Sequence, residues 1–132
     1  ITCEHSIMVP EYLDVNSTDL VIIIGNLLDN AIRCVERLAA EESERVQISI
    51  VISYDRGNLN ICITNICDTD AKEYYYDSDR DNKVFALLDT DKEDRKNHGI
   101  GLKNVVASVK KYDGVVTIKR ERGIFAVNVS MC

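Results

Sequence analysis

The chain alternates between segments of helical and of strand-like hydrophobic spacing. Residues 5 to 9, HSIMV, read as a short strand that ends before Pro10, the only proline. Asn16, Ser17 and Thr18 then offer N-cap candidates, with Asp19 favourable in the first turn. From there to about Glu42 the spacing is helical. Ile24, Leu28, Ala31, Val35 and Leu38 recur at steps of three or four and predict one core stripe. Asn26, Asn30, Arg33 and Arg37 recur at similar steps on another face. RVQISIVISYD alternates and is rich in β-branched residues, which predicts a strand. RGN at 56 to 58 is a turn, and LNICITNI is the returning strand of a hairpin.

Residues 68 to 98 break this regularity. They carry a net charge of -4 out of the -6 of the whole chain, with apolar clusters at YYY, 74 to 76, and VFALL, 84 to 88. The segment reads as a mobile insert with a short helix, because patterned segments follow it. In GIGLKNVVASVKKYDG, residues Leu102, Val105, Val106 and Val109 predict an amphipathic helix from about Gly101. Lys110 and Lys111 fall in its last turn, and Gly114 is its stop. VVTIKRERGIFAVNVSM is a final hairpin turning at ERG. Helices grouped against a mostly antiparallel sheet make an α/β two-layer sandwich.

Composition narrows the function classes. At 132 residues the chain suits one domain, 1–132. A net charge of -6 argues against nucleic acid as a partner, since phosphate neutralisation needs a basic surface. Five cysteines at 3, 34, 62, 67 and 132 show no CxxC spacing, and read as reduced thiols. Cys3 and His5 lack a second ligand pair. No apolar run reaches the length of a membrane span. The chain opens without Met on ITCEHSIM, so it reads as an excised domain, with any membrane segment in the missing part.

Two polar groups of residues carry chemistry. Asn26 and Asn30, four apart on a helix, stack on one face, with Arg33 three further along. An amide oxygen is a hard neutral ligand suited to Mg²⁺, and Arg33 suits phosphate oxygens. A solvated helix face that happens to hold Asn and Arg would look the same. Gly99 and Gly101 stand just before the second helix, where free N–H groups and the helix dipole can cradle phosphate. A plain loop is the competing reading. Neither a dinucleotide fingerprint nor a Walker loop is present.

Taken together, NLLDNA on a helix, a hairpin, a polar insert and HGIGLKNV in that order resemble the GHKL ATP-binding superfamily. The resemblance spans nearly the whole chain. It is most similar to sensor histidine kinases of the quorum-sensing, accessory-gene-regulator type. The resemblance implies a Bergerat fold: a mixed, mostly antiparallel sheet of about five strands against about three helices, with an ATP lid. ATP would lie between the helices, and residues of about 68 to 98 match the lid.

By position, Asn30 matches the Mg²⁺ ligand of the family's N-box and Asn26 the residue one turn earlier. Arg33 falls where many histidine kinases carry a basic residue near the phosphates. Gly99 and Gly101 match the second glycine-rich box, with His98, Ile100, Leu102 and Lys103 around them. Most histidine kinases carry an Asp-x-Gly-x-Gly stretch after the hairpin, whose Asp reads the adenine amino group. Here the strand ends in TNICDTD without glycine, and Asn65 is the best positional match. Asn97 stands where the first glycine of the second box often lies.

Position 26 separates subfamilies. The superfamily's ATPases carry a Glu there as general base for water, whereas an amide cannot accept a proton at neutral pH. The resemblance therefore implies phosphoryl transfer from Mg·ATP to a histidine, not hydrolysis. That acceptor belongs on an upstream dimerisation domain of a homodimeric receptor, because His5 and His98 sit in unsuitable contexts. A cognate response regulator would be the downstream partner. The domain would be the cytoplasmic part of a bacterial membrane receptor. A degenerate GHKL module that binds a protein without chemistry, and a serine kinase of the anti-sigma type, are the alternatives.

Overall fold

The computed structural model describes residues 1–38, 46–68, 72–80 and 92–132, with 92–100 described by their backbone alone. Along the chain run β1 (Cys3–Met8), α1 (Ser17–Glu36), β2 (Ile48–Asp55), β3 (Asn58–Ile66), β4 (Tyr74–Asp77), α2 (Lys92–Lys110), β5 (Val115–Glu121) and β6 (Ile124–Met131). The strands form one sheet in the order β1-β2-β3-β6-β5-β4. Only β1 and β2 are parallel; every other neighbour is antiparallel. The sheet and the two helices of the described residues form the expected α/β sandwich, with one strand more than expected.

Local chemistry sets most boundaries. Asn16 caps α1, its Oδ1 accepting from the Thr18 amide at 2.7 Å. The helix predicted to Glu42 ends at Glu36, and 39–45 lie outside the described residues. Arg56–Gly57 and Arg122–Gly123 take positive φ at both positions, as two-residue hairpin turns that follow the strand twist require. After α2, Asp113 takes the left-handed conformation and the Gly114 amide donates to the Val109 carbonyl at 3.1 Å.

Packing corrects three expectations. The fully buried stripe of α1 is Ile23, Leu27, Ala31 and Val35; Ile24, Leu28 and Leu38 are only partly buried against it. The run LVIII fills two adjacent stripes, so spacing alone does not choose the one that faces the sheet. Tyr74–Asp77, expected within a lid, is instead the sheet edge beside β5, with Tyr74 and Tyr76 in the core. The VFALL cluster and the short helix expected around it fall outside the described residues.

The third correction concerns α2, which begins at Lys92 and not near Gly101. Lys, Glu and Arg in KEDRKN favour helix, and Glu93 and Asp94 near the start suit the helix dipole. These outweigh two glycines costing about 1 kcal/mol each.

Helix and sheet meet in one apolar layer. Leu102, Val105 and Val109 of α2 pack with Ile23 and Leu27 of α1 against Ile61, Val116, Ile118, Val127 and Val129. Each such side chain contributes roughly 1.5–3 kcal/mol when fully buried. The helices are also tied at one end: Asp19 accepts from Lys111 Nζ at 3.1 Å and from the Tyr112 hydroxyl. That hydroxyl in turn accepts from the Asn16 amide at 3.0 Å.

Candidate functional site at the helix–sheet layer

The two asparagines of α1 are in different settings. Asn26 is half-buried, and its Nδ2 donates to the Ile22 carbonyl one turn back at 2.8 Å. Its oxygen lies beneath α2: a Cβ added to Gly101 would meet Asn26 Oδ1 at 3.2 Å. Asn30 is 8% exposed and has a partner. It lies beside the Leu27–Ala31 stripe, so it does not look out freely from the helix. An amide held in such a place is pre-oriented, and its oxygen is a suitable hard donor.

Arg33 lies one turn from Asn30 and is half-exposed. Its Nε is 3.3 Å from Asp29 Oδ2, an (i, i+4) pair. Exposed pairs of this kind contribute about 0.3–0.5 kcal/mol, so Arg33 is cheaply released to a stronger anion.

Asn65 sits at the end of β3 on the face turned to the helices, 3% exposed. It follows Leu59, Ile61 and Ile63 in alternation and pairs with Phe125 of β6. Its Nδ2 donates to the Ile66 carbonyl at 2.9 Å. A carbonyl only accepts, so the orientation of this amide is fixed and Oδ1 is the acceptor it presents.

The glycine-rich stretch differs most from expectation. His98, Gly99, Ile100 and Gly101 lie inside α2, six or more residues beyond its first residue, Lys92. Their backbone donors belong to the helix ladder, so the helix N-terminal phosphate cradle is not formed here. Leu102 is a core residue, 2% exposed, and Lys103 is exposed with a partner. Of the predicted set, the geometry brings Gly101 against Asn26. The side chains of His98 and Ile100 lie outside the described residues.

One residue escaped sequence reasoning. Arg120 of β5 lies on the buried face with Val116 and Ile118. Alternation in VVTIKR was the signal that could have found it. Its Nε donates to the Lys72 carbonyl at 2.6 Å. Nearby, burial pushes the Cys67 thiol up; Cys34 adds to this, and the Arg120 guanidinium opposes it.

All five cysteines are free thiols. Among the described residues no three His, Cys, Asp or Glu side chains gather as a metal site. A cation bound here would rest on an amide oxygen, water and its ligand's own oxygens, which is the habit of Mg²⁺. No helix among the described residues is long and apolar enough to cross a membrane.

Comparison with known proteins gives the framework for these residues. No curated protein matches the chain. The sequence matches the GHKL domain family over residues 15–132. That match takes in every element but β1, and the chain belongs to this family.

Proposed function

From this GHKL ATP-binding domain we infer the catalytic domain of a sensor histidine kinase, one that passes the γ-phosphate of ATP to a histidine on a dimerisation domain. The observation that carries the reading is the amide at position 26. Its Nδ2 is turned back to Ile22, and its oxygen lies under Gly101. A neutral amide takes no proton from water, so position 26 supplies no hydrolytic base.

In this reading the acceptor imidazole nitrogen attacks phosphorus as the bond to the β-phosphate oxygen breaks and ADP leaves. Such a transfer relies on positioning and on charge neutralisation more than on acid–base groups. Asn65 Oδ1 accepts from the adenine amino group. Arg33 leaves Asp29 for the phosphates. Asn30 would hold Mg²⁺, which supplies charge neutralisation between the phosphates when bound. The proposed partners are the dimerisation domain of the same receptor, as a homodimer, and a response regulator. The proposed setting is the cytoplasmic side of a bacterial membrane.

Titration calorimetry with a non-hydrolysable ATP analogue, with and without Mg²⁺, tests the reading. Binding that Mg²⁺ strengthens is expected, and Asn30→Ala should remove the Mg²⁺ dependence. A folded sample that binds no nucleotide at millimolar concentration rules out catalysis by this chain. The continuous helix through Gly99 and Gly101 favours a second reading, a protein-binding module without chemistry. Absent nucleotide binding with retained affinity for a regulator selects it. Phosphate recovered on serine would select the anti-sigma type of kinase instead.

A further inference from the structure

Arg120 brings a cation into the apolar layer and leaves part of it unsatisfied. The residue is 7% exposed, and Nη2 is buried with no hydrogen-bond partner among the described residues. A buried donor on a charged group is costly when nothing accepts from it. Nε, by contrast, is fixed on the Lys72 carbonyl at 2.6 Å. Because a guanidinium is planar, that bond restricts where the free nitrogen can point.

The sheet register says what lies alongside. Tyr74, Arg120, Phe125, Asn65 and Ile48 are successive cross-strand partners, one row across five strands. Arg120 and Asn65 thus lie on the same helix-facing side, two strands apart, a backbone separation of roughly 10 Å. Cys67, two residues beyond Asn65, is the thiol whose upward shift the Arg120 charge opposes. The row carries an acceptor, Asn65 Oδ1, and a donor, Arg120 Nη2, on either side of Phe125.

An aromatic ligand with an amino donor next to a ring acceptor complements that pair. Adenine has this arrangement on either edge of its amino group, toward N1 or toward N7. Guanine has a carbonyl in place of the amino group and would set an acceptor against Asn65 Oδ1.

We propose that Arg120 is a specificity-determining residue of the nucleotide site, donating from Nη2 to a ring nitrogen of adenine while Asn65 accepts from the amino group. This rests on the nucleotide-binding reading above. It assigns to β5 a base contact that no glycine-box or N-box residue provides.

Calorimetry on the whole chain tests it with ATP, its 1-deaza and 7-deaza analogues, and inorganic tripolyphosphate. One deaza analogue should bind about tenfold or more weakly than ATP, the loss of one hydrogen bond from a charged donor. Arg120→Met should erase that difference and leave tripolyphosphate affinity unchanged. If Arg120→Met does not fold, Arg120→Lys, which keeps the charge without the planar fork, takes its place. Equal binding of ATP and both deaza analogues by the unaltered chain overturns the assignment alone. So does a deaza penalty that survives loss of the guanidinium. Failure of the unaltered chain to bind ATP at all overturns the nucleotide reading and this inference with it.

Discussion

The Cβ that Gly101 lacks would stand 3.2 Å from Oδ1 of Asn26, so α1 and α2 approach each other through an absent side chain. That distance is tight but not forbidding, and Asn26 is held by its bond to Ile22. Alanine is favoured over glycine in a helix by about 0.8–1.0 kcal/mol. Gly101→Ala should therefore gain little or lose stability in the native background. With Asn26→Ala also present it should gain about 0.8–1.0 kcal/mol. Urea unfolding of the four proteins in a double-mutant cycle measures the coupling, and strict additivity would contradict the contact.

Gly114 is a harder constraint. A Cβ there would meet the Ser130 carbonyl oxygen and Val109 Cγ1, both at 2.6 Å, and Met131 Cγ at 2.9 Å. One of these is backbone of β6, which cannot turn aside. Gly114→Ala should cost about 1–3 kcal/mol, the usual range for overpacking. Chemical denaturation reads this directly. A loss under half a kcal/mol would show that the α2–β5 connection relaxes easily.

The link between Asp19, Tyr112 and Lys111 gives stability a pH dependence at both ends. Hydrogen bonds from Tyr112 and then Lys111 hold the Asp19 carboxyl below its usual range. Its contribution is complete above the unfolded value of about 3.9 and is lost as pH falls through the lower folded value. The same bond, with Asp19 accepting, pushes the Tyr112 hydroxyl up. That contribution is complete below the unfolded value of about 10 and is lost as pH rises through the higher folded value. Tyr112→Phe should flatten the alkaline limb and weaken the acid one. Midpoints of urea unfolding from pH 3 to 11 test this.

The thiols should separate by reactivity. Burial pushes Cys62 and Cys67 up, so little thiolate forms at neutral pH. Cys3 and Cys132 are exposed. A thiol-exchange reagent at pH 7.5 is expected to modify Cys3 and Cys132 first, with Cys62 and Cys67 slow until the protein unfolds. Peptide mapping at early times identifies the order, and rapid labelling of Cys67 would contradict its burial.

Local rules made much of this molecule legible. The Asn16 cap, both hairpins and the α/β sandwich follow from caps, turns and alternation. Three features differ from expectation, two of them for want of tertiary information and one, the start of α2, because local propensity outweighs two glycines. YYYD carries no polar alternation and sits among acidic residues, so its place at the sheet edge depends on β5 being there to pair with it. Gly99 and Gly101 looked like a helix boundary, yet the charged residues before them extend the helix. Spacing places Asn30 on a face apart from the apolar stripe, but a twenty-residue helix with two apolar stripes can turn either one inward. For Asn65, sequence gave its position on the strand. Its burial and its bond to Ile66 came only from the fold.

The last two turns of α2 are firmly anchored, and this shapes how a ligand could act on them. Leu102, Val105 and Val109 are buried, and Lys111 and Tyr112 just beyond are clasped to Asp19. A ligand that drew these turns away from α1 would have to uncover apolar surface. Its binding would then carry a positive heat-capacity contribution, opposite in sign to the burial of apolar area.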